Sequence, residues 1–359
     1  MALMMVEGFE WTNNANHMVR KWSDHTSSGF TTGRFSTRAI RMDSGSHLLR
    51  KIFPTSHTTW TIGCAFQCTW GFNDGYTAIS MGCSAGDQIR INFSGAGAMR
   101  VVRGDGTILQ TATQIPVTVN GGWKYLEFQA YIHAWAGYYE VRWDGVTFLS
   151  GSNVNTKGQN TVYDVDRITF AGSARYDYDD IYICDGSGAT FNTFLGPQSV
   201  KRQSLLAAGS STQWTPINST NLSQINDTTA PDDDTSRVQA VVTSEKVDLY
   251  TITNNVRAGS NVQAVYVGVE GKGLVGAGGI VPALKSGSTT VGNPQPTDGY
   301  YKDYGLVVTT DPNTGSAWTV SGLNSIEVGM KNVVTVTDPH TQWQNAPTPW
   351  NSARTKIGG

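Results

Sequence analysis

Two alternating runs, Trp123–Ile132 and Gly137–Gly145, constrain this chain more than any other part of it. In the second run Tyr139, Val141 and Trp143 fall on one side of an extended strand and Glu140 and Arg142 on the other, because successive side chains of a strand face opposite ways. Tyr139 and Trp143 are therefore expected in a core. The run closes on Asp144-Gly145, a pair that tolerates the positive φ of a two-residue hairpin turn. In the first run Trp123 and Tyr125 have the opposite parity to Phe128, Ala130 and Ile132, so the spacing predicts a bulge between Leu126 and Phe128 or burial of both faces. A second copy of the pattern, Arg167–Phe170 followed by Tyr178–Ile183, ends the region.

The rest of the chain extends this all-β reading. Short apolar runs are separated by Ser-Gly, Asn-Asp-Gly and Gly-Asp-Gly turns, and only Asn14–Trp22 has helical spacing, through Met18, Val19 and Trp22. With 359 residues there is room for two modules. The alternation stops near Gly196-Pro197, and strands resume at Val238. The expected organisation is a β-sandwich over 1–196, an irregular connecting segment over 197–236 packed along the second module through Trp214, Leu222 and Ile225, a second β-sandwich over 237–337, and a tail over 338–359. Both sandwiches are expected to be antiparallel and jelly-roll-like, in tandem. The tail has no apolar periodicity but carries Trp343 and Trp350, which are the candidate interface residues.

Charged residues make up 15% of the sequence, against about 25% in average globular proteins, so Ser, Thr, Asn and Gly must dress the surface. This bias suits an extracellular or particle-borne β-protein. A net charge of -2 offers no basic face for nucleic acid, and no apolar stretch is long enough to span a bilayer. Met1–Val6 runs straight into Glu7 without a basic flank and does not read as a signal peptide.

The order of a Trp-led strand, a strand ending in Asp-Gly and a late Asp-Asp-Ile-Tyr-Ile strand resembles the concanavalin A-like or laminin-G-like jelly rolls of bacteriophage virion proteins. Leu195-Gly196-Pro197, Trp214-Thr215-Pro216, Ala230–Thr235, and Thr310–Thr319 with Asn324, Glu327 and Gly329 extend the resemblance over roughly residues 1–332. The resemblance implies a non-enzymatic structural component of a particle: a tail, fibre, baseplate or capsid-decorating protein. It would be made in the host cytoplasm, reside in the virion, and have other virion proteins and copies of itself as partners. The alternative is a glycan-binding protein that adheres to a host surface; a polysaccharide-degrading enzyme ranks behind both.

Local motifs add little chemistry. Cys64 and Cys68, four apart on one strand, stand about 13 Å from each other and cannot share a metal or a disulfide, so buried thiols are expected there and at Cys83 and Cys184. Gly271–Gly276 matches a dinucleotide-binding spacing but is followed by more glycine and a strand instead of a helix, so a hairpin loop is expected. Arg103-Gly104-Asp105 is read as a turn. The acidic group Asp177, Asp179, Asp180 and Asp185 places Asp177 and Asp179 on one strand face. These two are the candidate Ca²⁺ ligands, an idea the laminin-G resemblance favours, whereas solvated strand-end aspartates are the plainer reading. Asp232–Asp234 is read as a turn with a cap. No other cofactor is indicated. For a sugar, which stacks its apolar face on an aromatic ring, the candidates are Trp11, Trp22, Trp70, Trp135 and Tyr176, all near turns.

Overall fold

The computed structural model describes residues 3–112, 122–158, 162–173, 175–227, 231–240, 244–273 and 278–333. Within them the chain is all-β and antiparallel, in keeping with the alternation of its sequence. The first module stacks two sheets. One runs from edge to edge as Val146–Val154, Gly137–Trp143, Lys124–Tyr131, Thr59–Cys68, Tyr176–Asp185, Arg38–Met42 and Gly29–Thr32, and Leu3–Glu7 also pairs with Tyr176–Asp185. The other runs Ile108–Thr111, Met99–Arg103, Gly86–Phe93, Thr77–Cys83, Val165–Ala171, Leu48–His57 and Asp24–Thr26.

The alternating runs form a meander at the edge of the first sheet. Lys124–Tyr131 pairs with Gly137–Trp143 in unbroken register, Leu126 opposite Trp143 and Tyr131 opposite Tyr138. Two-sided burial, not a bulge, explains the parity change. Leu126, Phe128 and Ala130 enter the core between the sheets, while Tyr125 packs with Leu3, Ala65, Tyr182 and Cys184 on the outer face. Tyr139 and Trp143 are core residues, 4% and 5% exposed. Asp144 and Gly145 both have positive φ, 49° and 81°, so the turn takes the primed form whose twist suits flanking strands. The second copy of the pattern is not a hairpin: Val165–Ala171 and Tyr176–Asp185 lie in different sheets. The helical spacing near Met18 becomes a short 3-10 helix, Ala15–Arg20.

In the core, Phe66 lies 5.7 Å from Phe93, 5.3 Å from Tyr176 and 5.5 Å from Tyr178, measured between ring centroids. All four cysteines are buried and lie outside any disulfide among the described residues.

The second module has a sheet ordered Leu205–Thr212, Val247–Ile252, Glu327–Asn332, Gly279–Ser286 and Thr289–Gly292. It packs against a ribbon of Val265–Gly271 and Lys302–Val308 around Leu284, Leu306 and Trp318. The segment 197–236 is less irregular than expected, since Leu205–Thr212 is an edge strand of this sheet. Its small and hydroxyl side chains hide the strand from an alternation test, as one flank faces solvent and Leu206 is 62% exposed. Buried Asp248 holds the rest of the segment, accepting from Trp214 N at 2.8 Å, Asn221 Nδ2 at 2.6 Å and the Tyr250 hydroxyl at 2.6 Å. The tail, with Trp343 and Trp350, lies outside the described residues.

The outer face of the first sheet is not open. Gly196 N donates to Glu127 Oε1 at 2.9 Å and Leu195 N to the Tyr182 hydroxyl at 3.1 Å, while the Tyr182 hydroxyl itself donates to Glu127. The Arg142 guanidinium lies 4.0 Å from the Phe194 ring centroid. The chain leaving the first module thus straps this face, and Ala264 and Val307 of the second module pack beside it.

Candidate functional site

One surface with an exposed aromatic ring beside polar groups is at one end of the first sandwich, and the meander builds it. The connection 132–136 between its first two strands carries Trp135, 70% exposed. Thr156, fully buried, pins this connection: its hydroxyl donates to Tyr131 O at 2.7 Å and accepts from His133 N at 2.9 Å, and its own amide donates to His133 O at 3.0 Å. Gly137 is required beside it, because a Cβ there would come within 2.2 Å of the Thr156 hydroxyl and 2.6 Å of Val154 O.

The rings then line up. His133 meets Trp135 edge-on at 4.6 Å and stacks on Tyr131 at 5.6 Å, Tyr131 meets Tyr138 at 5.7 Å, and Tyr163 lies 5.6 Å from His133. His133 Nδ1 accepts from Ala136 N at 2.9 Å and Trp135 N at 3.3 Å, so the neutral ring carries its proton on Nε2. The Lys157 ammonium sits 4.9 Å from the Tyr163 ring centroid. Beside the row, where Thr59 pairs with Tyr131, His57 Nε2 stands 3.4 Å from Asp185 Oδ2, and Asp185 Oδ1 accepts from Ser187 N at 2.8 Å. Burial raises the Tyr138 phenol above its ordinary range, so it stays a neutral hydroxyl. The rim therefore offers flat apolar rings bordered by an imidazole N–H, an ammonium and a phenol hydroxyl.

The other sugar candidates divide sharply. Trp22 and Tyr176 are 1% and 0% exposed, and both are corrected from ligand platforms to core residues. Trp22 meets Phe170 edge-on at 5.9 Å, and Tyr176 belongs to the Phe66 cluster. Trp11 is half-buried and donates from Nε1 to Glu7 Oε2 at 3.2 Å. Trp70 is 68% exposed, at the opposite end of strand Thr59–Cys68 from the Trp135 rim. Tyr131, His133, Tyr138, Lys157 and Tyr163 were not singled out for a sugar in the sequence; only their closeness to turns flanking Trp135 could have marked them.

The acidic group is also rearranged. Asp177, Asp179, Asp180 and Asp185 are at most 2% exposed, so they are not solvated strand-end residues. Asp177 is held bidentately by Arg41 at 2.8 and 2.9 Å, and Asp179 accepts from Arg34 N at 2.8 Å and the Thr37 hydroxyl at 3.0 Å. The candidate Ca²⁺ carboxylates are thus occupied by protein donors, and the described residues contain no cluster of His, Cys, Asp or Glu suited to a metal. Asp232 closes a turn by accepting from Ser236 N at 3.0 Å, as a cap does. Arg103 and Asp105 pair within their own turn. Part of the Gly271–Gly276 loop lies outside the described residues.

Ser28, Asp43 and His47 meet at the sandwich edge, yet they do not form a nucleophilic relay. Ser28 Oγ at 3.2 Å and Asp43 Oδ1 at 3.3 Å both approach His47 Nδ1, whereas a relay needs the two partners on different ring nitrogens.

No protein-family model matches the chain, and no curated protein matches it. Among solved structures it is similar to the cellulose-induced protein Cip1, at 13% identity and a TM-score of 0.39 over 54% of this chain and 100% of that one. It is similar to an endo-β-1,4-glucuronan lyase from the fungus Trichoderma reesei, at 13% identity and a TM-score of 0.36 over 51% and 95% of the two chains. A third is the carbohydrate recognition domain of Emp47p, at 9% identity and a TM-score of 0.34 over 52% and 98%. The expectation of a virion component is withdrawn here: none of these three is named for particle assembly, one being named for induction by cellulose, one as a lyase and one as a carbohydrate recognition domain.

Proposed function

We propose that this protein binds a glycan and that the rim around Trp135 holds the sugar. The carrying observation is the row Tyr138, Tyr131, His133 and Trp135, which ends in an indole 70% exposed on a connection that Thr156 fixes in place. A pyranose presents an apolar C–H face that stacks on such a ring, and hydroxyls at its edge that need donors and acceptors. The His133 Nε2–H, the Lys157 ammonium and the neutral Tyr138 hydroxyl border the rings and supply both kinds. A fixed platform also spares the ordering cost that a mobile loop would add on binding.

The same reading has the protein bind without cleaving. An array of immobilised glycans probed with the intact protein and with Trp135→Ala tests it: the proposal expects a defined set of glycans bound by the first and lost by the second. Identical profiles for the two proteins would overturn the site. New reducing ends or unsaturated products from a bound polymer would overturn the non-catalytic part alone.

A further inference from the structure

Trp70 stands on the connection 69–76 between Thr59–Cys68 and Thr77–Cys83, and this connection is pinned from several sides. The Phe72 ring reaches inward to within 4.5 Å of Phe93 and 6.1 Å of Tyr176, Gly75 N donates to Phe93 O at 3.0 Å, and Thr69 N donates to Arg175 O at 3.2 Å. The indole is nevertheless 68% exposed. On it lies the Arg175 guanidinium, its central carbon 3.4 Å from the ring centroid.

Arg175 makes no ion pair among the described residues, although its charge acts on Asp177 from a distance. Asp177, two residues on, is taken bidentately by Arg41, and Asp74 on the Trp70 connection is taken by Arg100 at 2.8 Å. Among the described residues no hydrogen bond or ion pair engages the Arg175 guanidinium, and its Nε is shut off from solvent without a partner. Its backbone sits at φ +60°, a left-handed conformation that a long side chain seldom adopts.

A guanidinium over an indole keeps its N–H donors in one plane, and with Nε shut off from solvent the two terminal nitrogens are left to meet the two oxygens of a carboxylate. An indole this exposed, with one face under the guanidinium, leaves its opposite face for an apolar ring. We propose that Trp70 and Arg175 form a second site, independent of the Trp135 rim, for a carboxylated pyranose: the sugar stacks on the indole while its carboxylate bridges to the guanidinium.

Calorimetric titration with tetragalacturonate against its methyl ester, and with sialyllactose against lactose, tests this on the intact protein. The expected result is that at least one acidic sugar binds about tenfold or more tightly than its neutral counterpart. Arg175→Ala and Arg175→Gln, the latter keeping a planar group over the ring, should both abolish that preference, and Trp70→Ala should abolish binding of the acidic sugar. Trp135→Ala should leave the preference intact. Equal affinity for acid and neutral forms, absence of binding by both acids, or a preference that survives Arg175→Gln overturns the site. Loss of the preference in Trp135→Ala alone would also overturn it, while leaving the rim as the sugar site.

Discussion

Glu10 is pushed up to about 8, first by burial and then by the Asp179 carboxylate near it, with Glu7 adding to the effect. Burial likewise raises Asp179 to about 7, with Asp180 adding, and Asp180 to about 6, where the Val200 amide and the Arg34 cation pull the other way. A carboxyl whose folded value lies above its unfolded one binds more protons in the folded state. Its contribution to stability is therefore full below the unfolded value, near 4.5 for Glu10, and is lost as pH rises through the folded one. Stability should fall between about pH 5 and pH 8, and Glu10→Gln should flatten that decline in urea titrations run across the range. An unaltered slope in the variant would contradict the role given to Glu10. At the same scale, Trp143→Ala should cost roughly 3–5 kcal/mol, as other large aromatic truncations in cores do. A loss below about 1 kcal/mol would mean that this face does not carry the core.

The meander is the element that joins fold to site. Its alternation sets the register that buries Tyr139, Val141 and Trp143, and the same register brings Tyr131 opposite Tyr138 at the end where Trp135 emerges. The strand pattern and the Asp144-Gly145 turn were legible because both are local. Their sheet partners were not: Tyr178–Ile183 pairs across Thr59–Cys68, far away in sequence, and its ten-residue strand is buried on both faces. That burial also explains why the polar strap over the first sheet left no trace in the alternation. Tyr182→Phe removes a hydroxyl that donates to Glu127 and accepts from Leu195 N. Leaving those groups unsatisfied should cost about 1–3 kcal/mol. Hydrogen exchange should quicken at the Leu195 and Gly196 amides more than in the core strands. Unchanged exchange at both amides would show that the strap is held by other contacts.

Across the whole molecule, a charged seam joins the two modules. The Lys21 ammonium lies 4.2 Å from the Tyr266 ring centroid, and Lys21 also pairs with Glu7 at 3.1 Å. The Tyr266 hydroxyl donates to Asp303, and Arg20 bridges to Asp233 at 2.7 Å and also to Glu270. Scattered charges that meet only in the fold explain why a sequence with so few of them gave no sign of this seam. The rim shows the same limit: Trp135 was visible as an aromatic near a turn, but Tyr131, Tyr138, Lys157 and Tyr163 come to it from separate strands and connections. Glycan binding at Trp135 is the central claim, and the most direct measurement is a calorimetric isotherm for a glycan bound by the intact protein, repeated with Trp135→Ala. Loss of the stacking platform should weaken affinity by about tenfold or more while the melting temperature stays within about a degree or two, as for an exposed residue. An unchanged isotherm would contradict the account.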